Sequence, residues 1–255
     1  MQGERTEGQS EKVRLNRFLA MSGLGSRRKC DEIIASGRIF VNGEKVTELG
    51  GKVDPSSDRV EYMGKALSVI RKMEYLVYYK PIGVIVTRND PEGRVTVYED
   101  IAKKGIDPTN LKYVGRLDYN SEGLLIMTND GDLIHALTHP RFGIKKVYEV
   151  KTRKCLTNDQ QRSLIEGVES KGQLLRAGNI VDISREKHES CWYRIDLFEG
   201  KNRQIRRMLE VVGDEVMRLK RVQFSSVKLG NMKPGDIRSA TEREIGGLRN
   251  TGFKK

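Results

Sequence analysis

A chain of 255 residues that is 37% apolar and 32% charged is long enough for one large or two smaller cores. No apolar stretch approaches the ~20 residues that span a bilayer, and the polar opening, MQGERTEGQSEK, lacks a signal-peptide core, so a cytoplasmic protein is expected. A net charge of +12 and a pI near 9.6 point to a polyanionic partner, nucleic acid before a membrane surface.

Residues 1–12 read as a disordered tail. Leu15, Phe18, Leu19 and Ser22 recur at helical spacing, and Gly23 can end that helix. Ser26 fits an N-cap for a second helix that carries Ile33, Ile34 and Ala35 to Gly37. Arg38–Val41 then runs into Asn42-Gly43, a strong signal for a hairpin turn. With strands at 52–53 and 59–62, residues 13–64 make a small α+β unit, and 65–72 read as a linker. Arg27, Arg28 and Lys29 fill the first turn of the second helix, where the helix dipole disfavours cations. Two readings stand: solvent screens the cost, or a nucleic-acid backbone phosphate crosses this helix start, which is preferred.

A larger unit, 73–245, begins with a strand at Glu74–Tyr79. Lys80-Pro81-Ile82-Gly83 breaks it, and Val84–Thr87 resumes it. Asn89–Arg94 is a loop by composition. Strands are expected at Lys112–Val114, Leu124–Met127, Val147–Val150, Cys191–Leu197 and Arg221–Val227, with a helix over Asp132–Leu137. Residues 202–213 form the clearest amphipathic helix, with Ile205, Met208, Leu209 and Val212 on one face and Arg203, Arg206 and Arg207 on the other. Lys201–Lys233 holds nine basic and three acidic residues, half of the total excess. The arginines are either a solvated face or, because like charges at this spacing repel, the seat of an anionic ligand. Residues 246–255 read as a disordered basic tail. The fold class is α+β, a mixed, mainly antiparallel sheet with a few helices.

Cys30, Cys155 and Cys191 are far apart and odd in number, so they read as reduced structural thiols. His135 and His139 lack a third ligand and read as ordinary histidines. No metal site is expected. No P-loop or other glycine-rich phosphate-binding pattern occurs, which argues against nucleotide cofactors and against a methyltransferase.

Asp118 lies in a loop after a strand, beside Arg116; on spacing alone such an Asp is usually a turn or cap residue. The surrounding string GRLDYNSEGLLIMTNDG, 115–131, resembles the catalytic-Asp motif of pseudouridine synthases of the RsuA/RluB group, which modify ribosomal RNA. Lys80–Val84 resembles that family's KPxGV motif, Lys146–Val150 its KxYxV motif, and Glu199–Met208 its EGxxxQIRRM motif. Residues 13–64 resemble the S4-type RNA-binding domain carried by the same group. The loop Arg88–Arg94 looks more like the large-subunit RluB branch. One departure is Ser121, where the family commonly has Thr.

The resemblance implies a pseudouridine synthase catalytic domain behind an S4-like domain, acting as a monomer without a cofactor on ribosomal RNA or an assembling subunit. It implies Asp118 as nucleophile, Tyr148 against the uracil, and Arg206 pairing with Asp118. Arg116 would contact RNA beside the flipped nucleotide. Arg27, Arg28, Lys29, Arg203 and Arg207 are the remaining candidate RNA contacts. Without the resemblance, Tyr148 reads as a strand aromatic and Arg206 as a phosphate contact. The rival is a non-catalytic ribosome-assembly factor on the same fold.

Overall fold

Local capping and turn chemistry shape the first of two units, 1–73 and 74–255, into which the chain divides. The computed structural model describes residues 12–69, 72–184 and 190–252; residues 1–11 of the expected N-terminal tail, His188 and the last three residues fall outside them. In the first unit, β1 (Val13–Arg14) leads into α1 (Leu15–Met21) and α2 (Arg27–Ala35). The Ser26 side chain accepts from the Lys29 amide at 3.2 Å, so the expected N-cap forms. β2 (Ile39–Val41) and β3 (Glu44–Val46) pair around Asn42 and Gly43, both at positive φ (52° and 86°), as a type I′ turn requires. β4 (Lys52–Val53) pairs with β1, and β5 (Val60–Tyr62) with β2. Leu15, Phe18, Leu19, Ile34 and Ile39 close the core, and burying each such side chain stabilises by roughly 1.5–3 kcal/mol.

The small unit extends further than expected. Lys65–Ala66 forms a strand, β6, on β5, and the Leu67 amide donates to Val60 at 2.8 Å. Leu67 and Val69 pack on the small core, so these residues are not linker.

The second unit is a long sheet with helices on both faces. In chain order it comprises β7 (Tyr75–Lys80), α3 (Val97–Ala102), β8 (Lys112–Val114), β9 (Glu122–Thr128), α4 (Gly131–Thr138), β10 (Lys146–Thr152) and α5 (Asn158–Glu166). There follow β11 (Val168–Ser170), β12 (Gln173–Leu175), β13 (Asn179–Asp182), β14 (Trp192–Leu197), α6 (Gln204–Val211), β15 (Val216–Phe224), β16 (Val227–Lys228), β17 (Ile237–Ser239) and α7 (Glu242–Gly252). The order across the sheet is β13-β14-β10-β15-β9-β7-β17, with β8 on β9 and β16 on β15. Every pairing is antiparallel except β9 with β15.

β9 explains why the run Leu124–Met127 is apolar without alternation: the strand is covered on both sides. Leu125 and Met127 join Tyr78, Ile101, Leu164 and Met208 in one core. Leu124 and Ile126 join Tyr79, Leu133, Phe224 and Leu248 in the other. Gly123, at φ 107°, stands where β9 meets β15. A Cβ there would lie 2.3 Å from the Arg221 carbonyl oxygen, so only glycine permits this parallel approach.

Four other readings are corrected. Val84–Thr87 is not a strand; one isolated bridge, Ile85 to Thr96, replaces it. The basic tail is helical through Gly252, because Leu248 is buried against α4 and Gly252 meets Ala136. Arg221–Val227 is interrupted at Ser225, whose positive φ separates β15 from β16. Cys155 and Cys191 form a disulfide across a Cα separation of 4.9 Å, since the end of β10 and the start of β14 are neighbours; they are not separate thiols. Cys30 is buried in the small core.

Candidate active site

Asp118 sits in the turn between β8 and β9, at the edge of a cleft of about 820 Å³. That volume falls in the range of roughly 300–1,000 Å³ typical of small-molecule sites. The turn is closed by the Ser121 amide, which donates to the Asp118 carbonyl at 3.0 Å. Leu117 anchors it from below in the larger core.

Three successive carbonyls of this turn are then gripped by three groups distant in sequence. The Gly83 amide donates to Tyr119 O at 3.1 Å. Arg206 Nη2 donates to Asn120 O at 2.9 Å. Lys80 Nζ donates to Ser121 O at 2.7 Å and to Pro81 O at 2.9 Å. The KPxGV-like segment and the late arginine motif thus meet on the main chain that presents Asp118. Lys80 is fully buried. Burial brings its pKa down to about 8, against the opposing pull of Asp118 and Glu122.

Glu122 secures the start of β9. Tyr79 Oη donates to it at 2.9 Å, and Arg218 Nε donates to its other oxygen. Burial favours the protonated carboxyl, but the Arg218 and Tyr79 hydrogen bonds outweigh burial and hold its pKa below the ordinary value.

Tyr148, on β10, lines the same cleft and is 9% exposed. Arg116 and Arg203 line it too, and both are exposed. Arg206, on α6, is close enough for Asp118 to hold its proton, opposing the burial and the Arg203 charge that lower its pKa. Direct pairing was expected; instead the guanidinium grips the carbonyls of Asn120 and, at 3.3 Å, Val216. Among the described residues no ion pair is made to Asp118, and Arg206 Nε has no hydrogen-bond partner.

Arg207 departs from the expected basic face. It is 7% exposed, and its guanidinium donates to Ser170 Oγ at 3.2 Å, to Ser170 O and to Gln173 Oε1 at 3.0 Å. Its charge ties α6 to the β11–β12 hairpin rather than standing on a solvated face. In the small unit, Arg27, Arg28 and Lys29 are exposed at the start of α2, and Lys29 pairs with Glu32 at 2.8 Å.

The far wall of the cleft is the loop 88–94. Arg94 forks onto Asp90 (2.7 and 2.9 Å), its own amide donates to the same carboxylate at 2.9 Å, and this hold lowers the Asp90 pKa. Arg88 donates to Thr109 O and Leu111 O and stacks on Tyr98 at 4.4 Å. The loop is therefore rigidly built. Lys80, Gly83 and Ser121 lay inside the recognised strings, but their grip on backbone carbonyls leaves no trace in a side-chain pattern. Among the described residues no group of His, Cys, Asp and Glu could hold a metal.

The model of the RNA pseudouridylate synthase family matches residues 74–211, and that of the S4 domain matches 13–60. The chain is 38% identical over 239 residues to the ribosomal large subunit pseudouridine synthase B of Bacillus subtilis, covering 92% of this chain and 95% of that one. It is 35% identical over 234 residues to an uncharacterized RNA pseudouridine synthase of Rickettsia typhi, covering 90% and 92%. A solved pseudouridylate synthase shares the fold, with a TM-score of 0.63 and 24% identity over 92% of this chain and 99% of that one. The chain belongs to the RNA pseudouridine synthase family, in its RsuA/RluB-type group, and is an isomerase acting on RNA.

Proposed function

We propose that this enzyme isomerises a uridine of ribosomal RNA, in the large subunit, with Asp118 as the nucleophile. The observation that carries this reading is the clamp on the Asp118 turn, where Gly83, Arg206 and Lys80 hold three consecutive carbonyls. A backbone so over-determined presents one carboxylate at a fixed point of the cleft, which is what nucleophilic catalysis demands. The large-subunit assignment rests on the likeness to the Bacillus subtilis enzyme and on the Arg88–Arg94 loop.

The reaction breaks the N1–C1′ bond, turns the uracil and joins C5 to C1′. N1 gains the proton that C5 loses, so no atom enters or leaves and no cofactor is required. Asp118 attacks at the sugar or at the base. Tyr148 packs on the uracil and takes part in the final proton loss from C5. Arg206 steadies the turn that presents Asp118, through the Asn120 carbonyl rather than through a direct pair with the carboxylate. Arg116 and Arg203 contact the RNA around the extruded nucleotide, whose unstacking costs a few kcal/mol. Arg27, Arg28 and Lys29 of the S4 unit offset that cost through phosphate contacts. The enzyme works as a monomer, in the cytoplasm, on rRNA or an assembling subunit.

The test is Asp118→Ala, with pseudouridine mapped across both ribosomal RNAs. The variant should bind RNA as the wild type does and leave one large-subunit uridine unmodified. Unchanged modification would sink the nucleophile assignment and favour the assembly-factor reading. A lost site in small-subunit RNA would overturn the large-subunit assignment alone.

A further inference from the structure

Four buried side-chain atoms lack a hydrogen-bond partner among the described residues: Ser121 Oγ, Arg206 Nε, Asp214 Oδ2 and Arg221 Nη2. Two of them, Ser121 Oγ and Arg206 Nε, belong to the turn that carries Asp118 and to the arginine clamping it. Both can donate, and the side chain that this turn presents, Asp118, can accept. A buried donor left empty is costly, and a fold retains one where a function fills it.

Ser121 is 1% exposed, yet it lines the cleft. Its amide closes the turn onto the Asp118 carbonyl, and its own carbonyl is taken by Lys80. Only its hydroxyl is unused. In the free enzyme, partly exposed Asp118 has water to accept from. Once a uridine fills the cleft, that water leaves.

We propose that Ser121 is a positioning residue whose hydroxyl rotates about χ1 to donate to the Asp118 carboxylate when substrate displaces water. The inference rests on Asp118 being the nucleophile. The hydrogen bond orients the attacking oxygen and replaces the lost hydration at the moment of reaction, when the dry site makes it strongest. Substrate binding does not depend on it, because the hydroxyl touches Asp118 and not the RNA.

The experiment compares Ser121→Ala, Ser121→Thr and Asp118→Ala in single- and multiple-turnover assays on an rRNA fragment containing the modified site, with thermal melting of each protein. Ser121→Ala should lower kcat about ten- to hundredfold, the value of one hydrogen bond to a charged group. KM should stay within about twofold and Tm should hold or rise, since the replaced hydroxyl has no partner in the free enzyme. Ser121→Thr keeps the hydroxyl and should stay within about threefold of wild type. A wild-type kcat in Ser121→Ala beside an inactive Asp118→Ala overturns this inference alone. A fall in Tm and a rise in KM shared by Ser121→Ala and Ser121→Thr shows a merely structural role and also overturns it. An active Asp118→Ala overturns the nucleophile reading and this inference with it.

Discussion

Replacing Lys80 by Met removes one ammonium and leaves its stem, so it isolates what the charge and its hydrogen bonds do. Two effects oppose each other. The carbonyls of Pro81 and Ser121 lose their donor, at about 1–3 kcal/mol each. Against this, the native protein no longer buries an ammonium whose pKa has been lowered from 10.5 to about 8, a burden of about 3 kcal/mol. The net change in stability should therefore be small, between roughly 1 kcal/mol gained and 3 kcal/mol lost. Activity should suffer far more, because the Ser121 carbonyl is released and the turn presenting Asp118 loosens; misplacement by an ångström can cost about a hundredfold. Urea denaturation gives the first quantity and single-turnover kinetics the second. The pH dependence adds a signature. Between about pH 8 and 10.5 the wild-type native state has shed a proton that the unfolded chain still holds, so this group makes stability rise with pH across that window. Lys80→Met should lack that rise. A variant with kcat within threefold of wild type, or with an unaltered pH–stability curve, would refute the reasoning.

Gly123→Ala should destabilise by about 3–5 kcal/mol, since its Cβ meets the Arg221 backbone and φ is 107°; a denaturation midpoint like the wild type's would show that β9 and β15 can part freely. Arg207→Ala should cost about 2–4 kcal/mol of stability, through its lost bonds to Ser170 and Gln173, with the salt dependence of RNA binding unchanged. Arg203→Ala should do the reverse, lowering the slope of log affinity against log salt by about one; equal salt slopes in the two variants would show that Arg203 makes no phosphate contact. Arg27→Glu with Arg28→Glu should weaken RNA binding, most at low salt. Equal affinity at low salt would mean that these first-turn arginines are merely solvated.

The small unit was legible almost residue by residue because its signals are local. A Ser N-cap, two apolar stripes and an Asn-Gly turn each act within a few positions. What failed was less local. Lys65–Ala66 carries no strand signal and pairs only because β5 offers an edge. The helix α7 contains Gly246 and Gly247, poor helix formers, and is held by the Arg238–Glu244 fork and by burial of Leu248. α5 buries only Leu164, so its sequence shows no stripe. The two adjacent arginines of α6 look equivalent in sequence; the β11–β12 hairpin, invisible there, takes Arg207 and leaves Arg206 to the Asp118 turn. The site strings were recognisable, but not their division of labour, because Lys80, Gly83 and Arg206 act on main-chain oxygens.

That the turn is held by its carbonyls has a consequence for how such enzymes diversify. Tyr119 and Asn120, the two residues directly after Asp118, are exposed. Their carbonyls are gripped whatever side chain they bear, so both positions can be exchanged without moving the carboxylate. The turn thus separates what must stay constant from what can drift. A lineage can acquire new neighbours for its RNA target one substitution at a time, with the reacting group kept in register throughout.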